Sequence, residues 1–453
     1  MDYGKYKDVW KKLLSSRRFE EDGLLDVKLV DSKVEEYRTP YEADMGRAIF
    51  SQPFRRLAGK TQVHPFATVD YIHNRLTHSI EVGYVSRALG RRIARFILKT
   101  RGDFTSYDSI DEVGWVCQSA GLMHDIGNPP YGHAGEDAIR AWAIKNENQL
   151  QEIFKEDNQA VVNDFKYFDG NAQAFRMASR PGLRESCYFR LTCSTLGSMV
   201  KYPYLTSSKE GKKGKSAAFV TEEKLYEDLK KELGLDNGQR HPLSYVMEAA
   251  DDICYRINDF EDAVLMGLMD EIEVRDMLLD GMDFEKRRGL IENKASLSRV
   301  RALAIGELIE TFAKVFEDYY DQIMSFSLDE DLKSRIGKGW GGVLCRIKEK
   351  YNHIFSERKK VVSEIGAFGQ IANILDKYLA FLKEIHEKKK NKEQIGFGEL
   401  SFLSQRLITL AWGGHEYFDK NSNRELSWWA HAVLDYVVGM TDEYLHKVAN
   451  EFM

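Results

Sequence analysis

The segment from Gly121 to His133 contains the residue types best suited to chemistry in this chain. It reads Gly-Leu-Met-His-Asp-Ile-Gly-Asn-Pro-Pro-Tyr-Gly-His, so His124 and Asp125 are adjacent and His133 follows a glycine- and proline-rich turn. An imidazole and a carboxylate at a helix end can converge on one divalent cation. The turn is expected to hold His133 nearby without making it a ligand. Alone, the pair is weak evidence, because many His-Asp pairs are helix caps or surface residues.

A second histidine, His78, lies upstream in a stretch that is typical of a helix capped by Asn74. The apolar face of that helix is predicted from Ile80, Tyr84, Leu89 and Ile93. A lone histidine there is more often a core residue than a ligand. Arg75 precedes His78 by three residues and shares its face, so its guanidinium could bind phosphate oxygens. The alternative for Arg75 is a structural ion pair.

Downstream, Asp251 and Asp252 are flanked by apolar residues, where carboxylates are costly unless they are paired or bind metal. Asp251, Tyr255 and Asp259 recur every four residues and share a helix face, whereas Asp252 points about 100° away. Asp251 is therefore the predicted ligand. The chain then has the order His, His-Asp, Asp expected of a metal site assembled from three helices.

His133 opens another predicted helix, with Glu136 three residues later. At that spacing the carboxylate can orient the imidazole and raise its basicity. A histidine held in this way is a candidate general acid or base. Glu136 could equally complement the helix dipole in the first turn, and the two roles are compatible.

Composition limits the class of protein. The chain has 453 residues, 43% hydrophobic and 30% charged, with a net charge of −6, which favours a globular protein and gives no bulk signal for nucleic-acid binding. The five cysteines contain no C-x-x-C pair. The first 18 residues are too charged for a signal peptide, and no apolar run is long enough to span a membrane. We predict a soluble, cytoplasmic protein.

Proline placement indicates the fold. All eight prolines lie at or before Pro242, and apolar residues beyond it recur at three- and four-residue steps. The prediction is an all-α protein with a short hairpin or two. We expect an N-terminal helical extension (1–44), a core that carries the metal ligands (45–270) and a C-terminal helical region packed on that core (271–453).

The segment 207–218 carries four lysines and two glycines. It is interpreted first as a solvated, mobile connector. The other hypotheses are an electropositive flap beside a phosphate site, or a contact for DNA or a nucleotide.

Taken together, these motifs resemble the HD superfamily of metal-dependent phosphohydrolases, and within it the bacterial dGTPase-like deoxynucleoside triphosphate triphosphohydrolases. The segments that carry the resemblance occur in the family's order: Arg55–Val63, Arg75–Ser79, His124–Glu136, Asp169–Gln173, Thr195–Pro203, Ala249–Asp259 and Asp435–Asp442. The His-Asp pair alone is shared by many phosphohydrolases, whereas the whole series is specific.

The resemblance implies hydrolysis of a deoxynucleoside triphosphate, dGTP first, to deoxynucleoside and inorganic triphosphate by attack of a metal-activated water on the α-phosphorus. By matching position, the metal ligands are His78, His124, Asp125 and Asp251, and the proton-transfer residues are His133 and Glu136. The triphosphate contacts are Arg75, Asn171, Lys201 and Tyr202. At the deoxyribose end Tyr255 crowds the 2′ position, and Asp259 or Gln62 takes the 3′ hydroxyl.

The metal is expected to be Mg or Mn, although a His2Asp2 site also accepts Fe, Co, Ni or Zn. Relatives imply a homo-oligomer and a nucleotide or single-stranded DNA effector, with no membrane partner. Two alternatives stay open: an HD phosphohydrolase for another nucleotide, which would release phosphate or pyrophosphate, and a non-catalytic nucleotide sensor. A purely structural helical scaffold would leave the buried carboxylates unexplained.

Overall fold

A computed structural model describes residues 3–21, 27–33, 35–65, 69–155, 159–180, 189–390, 392 and 394–452. Over these residues the chain is helical, apart from one two-stranded antiparallel ribbon that pairs Arg18 with Val30 and Glu21 with Val27. The predicted all-α class with a short hairpin is confirmed. None of the helices in this part of the chain is long and apolar enough to span a membrane.

The elements of the first half, in chain order, are α1 (Lys7–Leu13), β1 (Arg18–Glu21), β2 (Val27–Val30), α2 (Pro40–Ile49), α3 (Gln52–Arg56), α4 (Arg75–Phe96), α5 (Asp108–Met123), α6 (His133–Lys145), α7 (Glu147–Ile153), α8 (Ala160–Lys166), α9 (Gly170–Ser179), α10 (Cys193–Met199) and α11 (Glu223–Leu233). The second half continues with α12 (Pro242–Leu265), α13 (Glu271–Leu279), α14 (Phe284–Glu292), α15 (Leu297–Asp318), α16 (Tyr320–Met324), α17 (Trp340–Phe355), α18 (Arg358–Lys389), α19 (Phe402–Trp412), α20 (His415–Asn421), α21 (Leu426–Val438) and α22 (Asp442–Glu451).

The helices form two compact units, and each unit is assembled from separate stretches of chain. The first contains Met1–Asp125, Ala178–Pro203 and Leu225–Val361, and the second contains Ile126–Met177, Tyr204–Lys224 and Val362–Met453. The three-part linear division made from the sequence stays a prediction.

The core of the first unit lies between the long helices α4, α5, α12 and α15. Leu89 and Ile93 of α4 are fully buried in it, as their spacing predicts. Ile80 and Tyr84 are not: their exposed fractions are 50% and 70%, so this part of the predicted apolar face is wrong. The buried face of this stretch of α4 instead contains Val82 and Val85 together with the small residues Ser79, Gly83 and Ser86. A neighbouring helix approaches closely at Gly83 and Ser86.

The second unit has an aromatic core, in which the rings of Tyr378, Phe381, Trp412 and Trp429 pack edge-on or tilted with centroids 5.5 to 6.4 Å apart.

The lysine-rich segment 207–218 belongs to this second unit. Its four lysines are exposed, but hydrogen bonds hold the chain near both of its ends: the hydroxyl of Thr206, just before the segment, donates to Asp164, and the Ser216 amide donates to Asp169 at 2.8 Å. At these two points the chain is held by buried carboxylates, which the composition of a solvated connector does not predict.

Candidate metal centre

His78 is held at the start of α4 by a local cap. The Asn74 side chain accepts a hydrogen bond from the Thr77 amide at 3.0 Å, and the Thr77 hydroxyl accepts from the Asn74 amide at 3.1 Å. This reciprocal pair satisfies two amides that a helix start otherwise leaves without partners, and it sets where the helix begins. His78 follows in the first turn and is almost completely buried.

Close packing of α4 against α5 brings the second histidine to the same place. A Cβ on Gly121 of α5 would lie 2.8 Å from the Ser86 hydroxyl and 3.0 Å from the Gly83 Cα. A Cβ on Gly90 would lie 2.7 Å from the Cys117 sulfur. The pairs 83/121 and 90/117 run in opposite chain directions, so the helices are antiparallel. The same register places His78 level with residues 124 and 125, just beyond the end of α5.

Four side chains converge at this point. Atoms of His78, His124 and Asp125 that can bind metal all lie within 4.8 Å of one another. Asp251 of α12 completes the cluster, with one carboxylate oxygen 3.4 Å from Nε2 of His78 and 3.6 Å from Nε2 of His124. Two imidazoles and two carboxylates from three chain segments thus surround one small volume, as a site for a divalent cation requires.

The tautomer of His124 is compatible with metal binding. Its Nδ1 is 2.7 Å from the Gly121 carbonyl oxygen, to which it donates, so Nε2 is the ring nitrogen that faces the cluster. That Nε2 atom is buried and makes no hydrogen bond of good geometry. A buried ring nitrogen without a hydrogen-bond partner, facing two carboxylates, fits a metal ligand better than a packed core residue.

The electrostatics of the cluster reflect this convergence. Burial by itself lowers the pKa of His124, but Asp125 and Asp251 outweigh burial and raise it to about 9. Burial works in the opposite direction on Asp251, where Lys201 and the two histidines hold the carboxyl pKa well below its usual range. His124 and Arg75 likewise lower the pKa of Asp125 against the effect of burial. Both carboxylates are therefore ionised and matched by positive charge, which a divalent cation also supplies.

Asp252 points away from the cluster, as the helix periodicity predicts. Its two carboxylate oxygens accept from the Lys333 ammonium at 2.9 and 3.0 Å. This ion pair accounts for the second buried carboxylate of the Asp-Asp sequence without a metal.

Two cations lie beside the cluster. The Arg75 guanidinium donates to Asp125, and the Lys201 ammonium lies 3.4 Å from Asp251 and 3.7 Å from Glu248. Tyr202 follows Lys201 in the chain, and its ring centroid is 5.9 Å from that ammonium. The structural ion pair considered for Arg75 is thus present, and it is made to a residue of the cluster itself.

The pair of His133 and Glu136 lies in the second unit and is built differently. Tyr131 and Gly132 both have positive φ, 60° and 57°, so the chain turns sharply before α6 begins at His133. Nδ1 of His133 is 2.8 Å from one Glu136 oxygen, and the other oxygen accepts from the Gly170 amide at 2.7 Å. The carboxylate is buried while the imidazole is 91% exposed, so a fixed ring faces solvent.

Asn171 directly follows Gly170, whose amide binds Glu136. Its amide and its side-chain nitrogen both donate to Asp169, at 2.9 and 2.8 Å. Ser216 of the lysine-rich segment donates to the other oxygen of the same carboxylate. Asp169 therefore orients Asn171 and anchors the segment at the same time.

The residues predicted at the sugar end belong to the first unit and contain buried polar atoms without hydrogen-bond partners. They include Oε1 of Gln62 and Oδ2 of Asp259. Burial raises the pKa of the Asp259 carboxyl well above its usual range, an effect that nearby Asp262 reinforces. Tyr255 is half-buried, one helix turn before Asp259.

Two further residues of this kind were missed from the sequence. The Tyr351 hydroxyl and both ring nitrogens of His64 are buried without partners. The centroids of the Tyr351 and Tyr255 rings are 5.3 Å apart. Burial and the nearby Asp259 raise the pKa of the Tyr351 hydroxyl. His64 is two residues from Gln62, which was its only signal in the sequence, whereas Tyr351 lies in a helix with no motif.

Comparison with known proteins identifies the family. A curated relative from Pseudomonas aeruginosa, named deoxyguanosinetriphosphate triphosphohydrolase-like protein, is 34% identical over 462 residues and covers 98% of each chain. The chain belongs to the deoxyguanosinetriphosphate triphosphohydrolase-like family. A family member of the same name from Listeria innocua is 30% identical, covering 96% of this chain and 97% of the relative. The deoxyguanosinetriphosphate triphosphohydrolase of Yersinia enterocolitica is 27% identical, covering 91% and 93%.

A family model for the HD domain matches residues 75–178. The matched range includes His78, His124, Asp125 and His133, while Asp251 lies outside it. The resemblance drawn from the motifs is thereby confirmed, and the protein is an HD-domain hydrolase of the dGTPase-like family, with a candidate His/Asp metal site.

Proposed function

We propose that this protein hydrolyses a deoxynucleoside triphosphate, with dGTP preferred, to the deoxynucleoside and inorganic triphosphate. The observation that carries the proposal is the cluster of His78, His124, Asp125 and Asp251, in which the His124 Nε2 atom is buried, without a hydrogen-bond partner, and close to both carboxylates. Family membership supports the substrate class, because relatives that match over nearly their full length are named for dGTP.

The four residues of the cluster would hold a divalent cation, Mg or Mn first. When bound, such a cation neutralises phosphate charge and lowers the pKa of water, which supplies a nucleophile at neutral pH. The Arg75 and Lys201 side chains add positive charge beside the cluster, where their present partners are Asp125 and Asp251. On substrate binding they would redirect part of that charge to phosphate oxygens, together with Asn171 and Tyr202.

His133 would transfer the proton that the leaving 5′ oxygen requires. Its Nδ1 is engaged by the buried Glu136 carboxylate, so the orientation of the ring is set, and the exposed imidazole can be reached by substrate. Glu136 is itself held by the Gly170 amide and acts as the positioning residue of this pair.

Gln62, Tyr255 and Asp259 would bind the deoxyribose, and we add Tyr351 to this group. Buried polar atoms without partners are costly, and a ligand hydroxyl that reaches them removes that cost. A protonated Asp259 can donate as well as accept, which suits a 3′ hydroxyl. The half-buried Tyr255 would crowd a 2′ hydroxyl and so disfavour ribonucleotides.

The test is product analysis. Purified protein is incubated with each of the four deoxynucleoside triphosphates and Mg2+ or Mn2+, and inorganic triphosphate is separated from phosphate and pyrophosphate. We expect triphosphate from dGTP, its loss in Asp251→Asn and its retention in Asp252→Asn. Phosphate or pyrophosphate as the product would contradict the proposal, as would equal activity in both variants.

Cytoplasmic location, homo-oligomeric assembly and activation by a nucleotide or single-stranded DNA stay predictions. Light scattering coupled to size exclusion measures the assembly. Assays with deoxynucleotide mixtures and with oligonucleotides test the effector.

A further inference from the structure

His73 joins two of the helices that carry the metal centre. It directly precedes the Asn74 cap of α4, and both its backbone and its ring bind Asp262 of α12. The backbone N–H donates to one Asp262 oxygen at 3.1 Å, and Nδ1 of the ring is 2.8 Å from the other. Asp262 therefore binds His73 at two points, which fixes both the backbone direction and the orientation of the imidazole.

The opposite side of the His73 ring returns to α4. Its Nε2 lies 3.5 Å from a carboxylate oxygen of Glu81, and the Asn258 side chain of α12 donates to the same oxygen. Asp262 and Asn258 are one helix turn apart on α12. The contacts therefore form a closed four-residue network that joins the two helices: Asp262, His73, Glu81 and Asn258. The side chains of Asp262 and His73 are 1% and 10% exposed, so solvent screens their attraction only weakly.

This four-residue network adjoins the metal ligands along both helices. On α4, His78 lies between His73 and Glu81, one turn before Glu81. On α12, Asp251 is two turns before Asn258. The contact between His78 and Asp251 depends on how these two helices meet, and the four-residue network joins the α4 end that carries His78 directly to α12.

We propose that His73 is a positioning residue for the metal centre, whose cationic ring clamps the start of α4 onto α12 and so holds His78 against Asp251. The proposal rests on the proposed function only in taking the cluster to be a metal site. The pKa of His73 agrees with a cationic ring: burial lowers it, but Asp262 and Glu81 outweigh burial and raise it to about 9.

The test uses metal binding rather than activity. The affinity of the full-length protein for Mn2+ is measured by calorimetry in His73→Gln, which keeps a polar side chain of similar size and removes the charge. We expect the dissociation constant to rise about tenfold, in the range known for groups that orient metal ligands. His73→Arg, which restores a cation between the two carboxylates, is expected to recover most of that loss.

His431 provides a matched control. It is another buried histidine paired with an aspartate, since its Nε2 lies 3.1 Å from Asp164, and it belongs to the second unit. His431→Gln should lower the melting temperature and leave the Mn2+ dissociation constant unchanged. Equal losses of affinity in His73→Gln and His431→Gln would reduce the role of His73 to general stability and overturn the proposal.

A milder variant guards against a protein that fails to fold. Glu81→Gln removes one carboxylate from the four-residue network, while the two hydrogen bonds between His73 and Asp262 remain. The Glu81 side chain is 43% exposed. We expect a smaller rise in the dissociation constant than in His73→Gln. Mn2+ binding that is unchanged in both variants overturns the clamp, whereas absence of binding in the unaltered protein overturns the metal site and hence the proposed function.

Discussion

The two groups proposed to act on substrate differ most in their exposure. The side chains of His78 and His124 are 1% and 8% exposed, whereas that of His133 is 91% exposed, although each imidazole has a carboxylate partner. A metal site requires several lone pairs at one point, which only packed helices deliver. A proton-transfer group requires one fixed imidazole that substrate can reach. The difference teaches that metal ligands must be packed together, whereas a proton-transfer histidine keeps its ring exposed and only its carboxylate partner buried.

The largest effect should come from the buried group. Asp251→Asn removes a carboxylate that faces both histidines, so kcat/KM for dGTP should fall by about 10³-fold or more, several kcal/mol of transition-state stabilisation. Mn2+ binding, measured by calorimetry, should be lost in parallel. Asp252→Asn, one residue along the same helix, should change kcat/KM only a few-fold, because its partner is Lys333. A larger loss in Asp252→Asn than in Asp251→Asn would reverse the assignment.

The exposed pair should separate catalysis from metal binding. His133→Gln is expected to lower kcat by about 10²- to 10⁴-fold, the usual contribution of a general acid or base, while the Mn2+ dissociation constant stays unchanged. Glu136→Gln should have a smaller effect, since it only loosens the ring that Glu136 orients. Steady-state kinetics with dGTP and Mn2+ calorimetry on the same preparations provide both readings. Weaker Mn2+ binding in His133→Gln would erase the proposed contrast between the two groups.

Local signals in the sequence were sufficient for several parts of this picture. The Asn74 cap, the start of α6 at His133 and the separation of Asp251 from Asp252 all depend on residues within one or two helix turns. The sequence predicts the face of α4 incorrectly at Ile80 and Tyr84, because their apolar side chains indicate an inward orientation. The helix packs there through Ser79, Gly83 and Ser86, whose small size is what α5 requires.

The residues missed in the sequence have partners that are distant in the chain. His73 and Asp262 are 189 residues apart, and nothing in either local pattern indicates the other. Tyr351 lies in a helix whose spacing predicts only packing, and its unpartnered hydroxyl is visible only once Tyr255 and Asp259 are placed beside it. Polar groups buried by tertiary contacts therefore need the structure, whereas helix caps do not.

The stabilising effect of the buried His73 imidazole should depend on pH. The folded-state pKa of His73, about 9, is above its ordinary value of 6.5, so its stabilising effect is fully present below pH 6.5 and is lost as pH rises through about 9. A rise in the pKa of this size corresponds to a stabilisation on the order of 3 kcal/mol. The carboxyl groups that face it are Asp262, Glu81 and Asp259.

The measurement is urea unfolding of the unaltered protein and of His73→Gln at pH 7 and pH 10. The difference in unfolding free energy between them should be large at pH 7 and small at pH 10. His133→Gln, whose ring is exposed, should show little difference at either pH. A stability gap for His73→Gln that is equal at both pH values would mean that shape rather than charge holds the clamp.

The smallest expected effect tests whether a buried polar atom without a partner signals substrate contact. Tyr351→Phe removes a hydroxyl that bonds nothing in the described structure, so stability should be unchanged or slightly higher, while KM for dGTP should rise a few-fold, about 0.5–1.5 kcal/mol for one hydrogen bond. Tyr378→Phe is the matched control, because the Tyr378 hydroxyl donates to the Leu407 carbonyl at 3.2 Å. It should lower stability by about 1 kcal/mol and leave KM alone. If Tyr351→Phe destabilised the protein without changing KM, burial without a partner would not distinguish a ligand contact from ordinary packing, and the sugar-end assignment of Tyr351 would be withdrawn.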